Sequence, residues 1–174
     1  MAIRNLSDLF HDALRDVLWA ERHLVRALRK MSKNSADPRL AEAFEKHRTE
    51  TETQVARLEE VFEMLERLPR AKACEAMVGL SAEGDHVMEQ IEVGSVRDTG
   101  LIGAARAIEH YEIARYGTLV AWARRLRLEE AAAILDRTLQ EEKATEELLT
   151  SLSRATNSDA EDHAQGRKSQ RKSA

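Results

Sequence analysis

Apolar side chains recur along most of this chain at alternating spacings of three and four residues, the pattern of helices that bury one face. Phe10, Leu14, Val17, Glu21, Leu24, Leu28 and Met31 form the first stripe, apolar everywhere except at Glu21. Ser7 is its expected N-cap, with Asp8 adding negative charge to the first turn. After a polar turn at Lys33–Ala36, Asp37 and Pro38 supply a cap and a proline at the first helical position. The second helix is predicted to run to about Leu68, where Pro69 stops it. Its inward stripe reads Leu40, Phe44, His47, Glu50 or Thr51, Gln54, Leu58, Val61 and Leu65, with apolar ends and a polar middle.

Residues 70–93 predict a shorter helix with Met77, Leu80, Val87 and Ile91 on one side, weakened by its glycines. Gly94 to Gly100 is the clearest break, and Ser95 or Asp98 caps the next helix. That third long helix, to about Arg125, turns Leu101, Ala105, Ile108, Tyr116, Leu119 and Ala123 inward and carries Glu109 and Glu112 with them. Gly117 inside it marks either a close helix approach or a position without a structural role. The fourth, from near Glu129, has the stripe Ala131, Leu135, Thr138, Glu142, Thr145, Leu149 and Leu152. Glu142 interrupts it at mid-helix.

Composition agrees with this pattern. Ala, Leu, Glu and Arg, all strong helix formers, outweigh the β-branched and aromatic residues, which makes the chain all-α. With 174 residues it is long enough for one buried core. A bundle domain over 1–155 is expected, followed by a disordered charged tail over 156–174 with acids at 159–162 and bases at 167–172. A net charge of −4 argues against nucleic acid and against a membrane surface as partners. Cys74 is the single cysteine, so no internal disulfide can form, and the thiol is expected to pack rather than react. No apolar run reaches the ~20 residues of a membrane span, and the first residues lack the apolar segment of a secretory signal. A cytoplasmic protein is expected.

The polar interruptions carry the candidate chemistry. In an antiparallel hairpin, residues equally far from the turn lie at the same height. Glu21 and Glu50 are equally far from Lys33–Ala36, and Glu112 and Glu142 from the turn expected at Leu126–Leu128, with Glu109 one turn away. Clustered buried carboxylates repel one another and resist ionisation. Bound cations remove both difficulties, and facing-helix carboxylates in a bundle core are the architecture of di-iron and di-manganese proteins. Oxygen ligands with some imidazole, here His47, suit iron or manganese. The alternative is a network of protonated or water-bridged glutamates that fixes helix register. Glu83, near the apolar side of the short helix, is a further acid within possible reach of the same centre.

Asp8-Leu9-Phe10 with Ala20-Glu21, His47 with Glu50-Thr51, the block Ile108 to Leu119 around Glu109-His110-Tyr111-Glu112-Ile113-Ala114, and Thr138 to Thr145 are similar to the bacterial YciE/YciF family of ferritin-like stress proteins. The resemblance spans roughly residues 5–153. It implies a ferritin-like bundle of four long antiparallel helices plus one shorter crossover helix, a homodimer, and a di-metal centre of iron or manganese. Carried onto this chain, the ligands it implies are Glu21, Glu50, Glu109, Glu112 and Glu142, with His47 substituting for the usual imidazole. Glu-x-x-His is the usual pattern on two ferritin-like helices, and here Thr53 and Thr145 stand at those histidine positions. His110, adjacent to Glu109, points about 100° away and is expected to orient a ligand or pack between helices. Tyr111 or Tyr116 is expected to tune hydrogen bonding or to fill the core. The leading expectation from these residues is an iron or manganese di-metal protein acting on dioxygen, peroxide or ferrous iron, as a ferroxidase or by removing peroxide. The other reading is a non-enzymatic dimeric stress protein with a vestigial polar core.

Overall fold

The computed structural model describes residues 3–172, with side chains described through residue 157 and at Ala160. Five helices follow one another: α1 (Leu6–Asn34), α2 (Pro38–Met64), α3 (Glu75–Gln90), α4 (Ser95–Arg125) and α5 (Glu129–Lys172). There is no strand among the described residues. α1 packs on α2 and α4 on α5 as two hairpins, while α1 meets α4 and α2 meets α5 across the bundle. α3, the shorter crossover helix, lies against α4 and α1. This is the ferritin-like all-α architecture that the stripes and the resemblance predict.

The helix ends show how the sequence sets these boundaries. Asn5, not Ser7, caps α1, its side chain accepting from the Asp8 amide at 2.8 Å. Asp37 caps α2 by accepting from the Arg39 amide at 2.8 Å, and Pro38 opens the helix. α2 stops at Met64, short of Leu68, because Glu66 turns left-handed (φ 52°) and the Arg67 amide closes back onto the Phe62 carbonyl at 2.9 Å. α4 ends the same way: Arg127 is left-handed (φ 59°) and the Leu128 amide reaches the Ala123 carbonyl at 2.9 Å. Asp98 does not cap its own helix. From the first turn of α4 it accepts the Ala36 and Asp37 amides at 2.8 and 2.7 Å, tying α4 to the α1–α2 turn.

α3 is shorter than residues 70–93, and its buried face is Met77, Ser81, Gly84 and Met88 rather than Leu80, Val87 and Ile91. Small residues on that face let it sit close to its neighbours: a Cβ on Gly84 would lie 3.6 Å from Met31 Cε and 3.9 Å from Ala104 Cβ. α3 also lies close to α4 at Gly100, where a Cβ would meet Val87 Cγ1 at 2.8 Å. Gly117 has nothing within 4 Å of such a position, so close approach does not explain it. Cys74 is buried at the α3 N-cap, its sulfur 3.4 Å from the Met77 amide. α5 continues as helix to Lys172, through the segment expected as a disordered tail. Extending an existing helix adds one backbone bond per residue and escapes the cost of nucleation.

Two apolar clusters make the core. One joins Phe10, Leu14 and Val17 to Leu58, Phe62, Leu119 and Leu135. The other joins Leu24, Leu28 and Met31 to Phe44, Met77, Leu101 and Leu149. Between them, at mid-height of the four long helices, the buried residues are polar: Glu21, His47, Thr51, Gln54, Glu109, Glu112, Thr138, Glu142 and Thr145.

Candidate metal centre

Each helix delivers its part of this belt through the same stripe that builds the apolar ends. α2 turns His47 inward, α4 brings Glu109 and Glu112 one turn apart, and α5 brings Glu142. One ligand-type atom from each of the four can be chosen so that all lie within 4.8 Å of one another, and all four side chains are buried. His47 Nε2 is 3.0 Å from Glu109 Oε1 and 3.9 Å from Glu142 Oε2. Glu21, from α1, is fully buried beside them and accepts a short hydrogen bond from the Tyr116 hydroxyl through Oε1.

Beyond the His47–Glu109 ion pair and the Tyr116–Glu21 bond, most polar atoms here have no hydrogen bond. Both oxygens of Glu112 and Glu142, the second oxygens of Glu21 and Glu109, and both ring nitrogens of His47 are buried without a hydrogen bond. A buried polar group left this way costs roughly 1–3 kcal/mol, more if charged, so the belt is expensive unless something fills it. Burial, and then the fields of Glu21 and Glu109, push the Glu112 carboxyl well above the ordinary range. Burial and then Glu112 and Glu109 do the same to Glu142. Burial lifts Glu21 to about 7 against the opposing hydrogen bond from Tyr116. Burial opposes a charged His47, but the carboxylates of Glu109, Glu21 and Glu50 outweigh it and raise its pKa. The Tyr116 hydroxyl, raised by burial and by Glu21, stays a donor.

The six residues singled out in the sequence therefore divide. His47, Glu109, Glu112 and Glu142 come together and Glu21 lies beside them, while Glu50 stands apart. Glu50 is on the partly exposed flank of α2 in an ion pair with Lys46 at 2.8 Å, and Thr51 takes the inward position, its hydroxyl bonded to the His47 carbonyl at 2.9 Å. His110 neither orients a ligand nor packs between helices; its side chain is 64% exposed, with Nε2 3.7 Å from Glu146 Oε1. Glu83 is exposed and away from the belt. Tyr111 is half-buried and bonds Asp16 at 3.1 Å and the Cys74 sulfur at 2.9 Å.

One supporting layer has no signature in the sequence. Arg57 grips both oxygens of Glu141 at 2.6 and 2.8 Å, and Gln54 Nε2 donates to the same carboxylate at 3.1 Å. This clamp joins α2 to α5 beside Glu142, across a separation in sequence that no local spacing reveals.

Buried carboxyl groups from separate helices, with the His47 imidazole as their cationic neighbour, make a donor set that fits a divalent cation.

Comparison with known proteins agrees with the fold. Residues 5–161 match the family model described as a domain of unknown function, DUF892. Protein YciF of Escherichia coli K12 is 42% identical over 153 residues, covering 87% of this chain and 92% of that protein. The crystal structure of the E. coli stress protein YciF superposes with a TM-score of 0.87 at 40% identity, covering 90% of this chain and 99% of that one. YcfI from Rhodopseudomonas palustris, provisionally described as a structural protein, superposes at 0.83 with 38% identity, over 85% of this chain and 94% of that one.

Proposed function

Since the chain belongs to the YciF family, we propose that its buried belt is a carboxylate di-metal centre of iron or manganese, serving a stress response by oxidising ferrous iron or removing peroxide. The observation that supports this reading most is the set of buried carboxylate and imidazole atoms without a hydrogen bond. A hydrogen-bonded structural network would satisfy itself; this belt has the His47–Glu109 and Tyr116–Glu21 contacts but leaves both oxygens of Glu112 and Glu142 without a hydrogen bond. In this reading His47, Glu109, Glu112 and Glu142 hold the metals, and Glu21 contributes a fifth carboxylate.

When bound, such metals supply one-electron redox steps and open positions for a small oxidant. The chain's own residues do the rest. Deprotonated Glu112 and Glu142 offer four oxygens between them, and loading releases the protons that burial favours. Tyr116 holds one oxygen of Glu21 and so directs the other. The apolar clusters on either side limit access to species as small as dioxygen or peroxide. Ferrous iron itself is the substrate if the activity is ferroxidase. A homodimer in the cytoplasm completes the proposal. No helix among the described residues is long and apolar enough to cross a membrane.

The second reading, a non-enzymatic stress protein with a vestigial core, draws on the single imidazole of the donor set. Metal content separates the two. Elemental analysis after anaerobic loading is expected to give about two ions per chain in the native protein, a loss in Glu112→Gln, and native content in Glu50→Ala. An absence of metal in the native protein would leave the structural reading.

A further inference from the structure

Away from the belt, the first turns of α1 and the loop after α2 form an open surface cavity of about 440 Å³ lined by His11, Arg15, Glu66, Arg67, Leu68 and Arg70. His11 is ten residues from Glu21, about 15 Å along the helix, so this cavity is separate from the metal centre. Three arginines and a histidine face one acid. Among the described residues, the Arg67 and Arg70 guanidinium groups have no salt bridge or side-chain hydrogen bond.

The Arg15 guanidinium and the backbone together hold the loop in place. Arg15 Nε donates to the Arg70 carbonyl at 2.8 Å, and the Lys72 amide donates to the Arg15 carbonyl at 3.0 Å. The Arg67 amide closes the end of α2 onto Phe62. Asp12, the acid nearest Arg15, is drawn away by Lys72 at 2.7 Å and lies 3.7 Å from the Arg15 guanidinium. His11 sets its ring edge-on against Phe62, with centroids 5.7 Å apart, and its Nε2 is buried without a partner. Burial, and then the positive fields of Arg67 and Arg15, hold the His11 imidazole below its ordinary range. The weaker opposing fields of Asp12 and Asp8 do not reverse this.

We infer that this cavity is a binding site for a small multiply charged phosphoryl anion, with Arg15, Arg67 and Arg70 as its cationic wall and His11 Nε2 as a further polar contact. Guanidinium forks match phosphoryl oxygens two at a time, and the backbone that carries Arg67 and Arg70 is held beside Arg15 before binding. A second cavity, on the other side of Arg67, is lined by Glu59, Glu63 and Glu66 and is acidic, which directs an anion to the His11 side.

The test is isothermal titration of the full-length, metal-free protein with inorganic phosphate, pyrophosphate and ADP, at matched ionic strength against chloride. One saturable site per chain is expected for at least one of them. Saturation by phosphate assigns the free ion; saturation only by pyrophosphate or ADP assigns a phosphoryl ester or anhydride. The double substitution Arg67→Gln/Arg70→Gln removes side chains while keeping the backbone bonds, and is expected to weaken binding tenfold or more at an unchanged unfolding midpoint. Glu66→Gln removes the opposing charge and is expected to tighten binding. No saturation by any of the three probes overturns the site, as does affinity that neither substitution alters.

Discussion

The same four helices build two different interiors. At the ends of the bundle, Leu14, Phe62 and Leu135 on one side and Leu28, Phe44 and Leu101 on the other are packed dry. At mid-height, identical spacing turns Glu21, His47, Glu109, Glu112 and Glu142 inward instead. Helix geometry does not distinguish these regions; side-chain chemistry does. The apolar ends hold the fold together, at about 25 cal/mol for each Å² removed from water. The belt spends some of that stability, since most of its buried carboxylate oxygens have no hydrogen bond. A protein keeps such a cost where a site needs it, and the contrast can be broken from either side.

The largest effect is expected in the dry ends. Phe44→Ala removes a ring that is 1% exposed and should lower unfolding free energy by ~3–5 kcal/mol in denaturant titration. A loss below ~1 kcal/mol would mean that this end does not carry the fold. In the belt, pH is the probe. Glu21 titrates at about 7 in the folded protein against an ordinary value of 4.5, so the folded state binds the extra proton. Its share of stability is complete below pH 4.5 and is lost as pH rises through 7. From Glu21 alone this amounts to ~3 kcal/mol, and the shifts of Glu112 and Glu142 act in the same direction. Metal-free protein should therefore melt at lower temperature at pH 8.5 than at pH 5.5. Loaded protein should lose that slope, because ionised ligands hold metal best. A flat profile without metal would show that the belt costs nothing.

A smaller effect is expected at Asp98, which satisfies two amides of the α1–α2 turn. Asp98→Ala should cost ~1–3 kcal/mol without changing metal content, read by thermal melting beside elemental analysis. The smallest is at the hairpin ends. Arg127 adopts φ 59° without being glycine, so Arg127→Gly should stabilise by about 0.5–1 kcal/mol or leave stability unchanged. A clear loss there would show that the Arg127 side chain matters more than its backbone.

The fold was legible because the stripes of α1, α4 and α5 are long and consistent. Each residue of the α1 stripe from Phe10 to Met31 is buried as its spacing implies. The α2 stripe was ambiguous at one point: from His47 both three and four residues onward are allowed steps, and only packing against α1 and α5 selects Thr51 over Glu50. α3 misled for a related reason. Leu80, Val87 and Ile91 flank a buried face in which small residues stand between Met77 and Met88, and closeness to Met31 and Ala104 rewards Gly84. Helix ends depended on left-handed turns at Glu66 and Arg127, where no glycine announces them. The acids at the centre could be read because Glu is conspicuous in an apolar stripe. The Arg57–Glu141 clamp and the Asp98 tie could not, since both join distant parts of the chain by side chains ordinary on a helix surface.

Anomalous scattering from crystals loaded anaerobically with manganese(II) puts the central claim to its most direct test. Two peaks are predicted within the belt, bounded by His47, Glu109, Glu112 and Glu142, with Glu50 still paired to Lys46. Density at the surface alone, or an empty belt in protein saturated with metal, would contradict a di-metal centre.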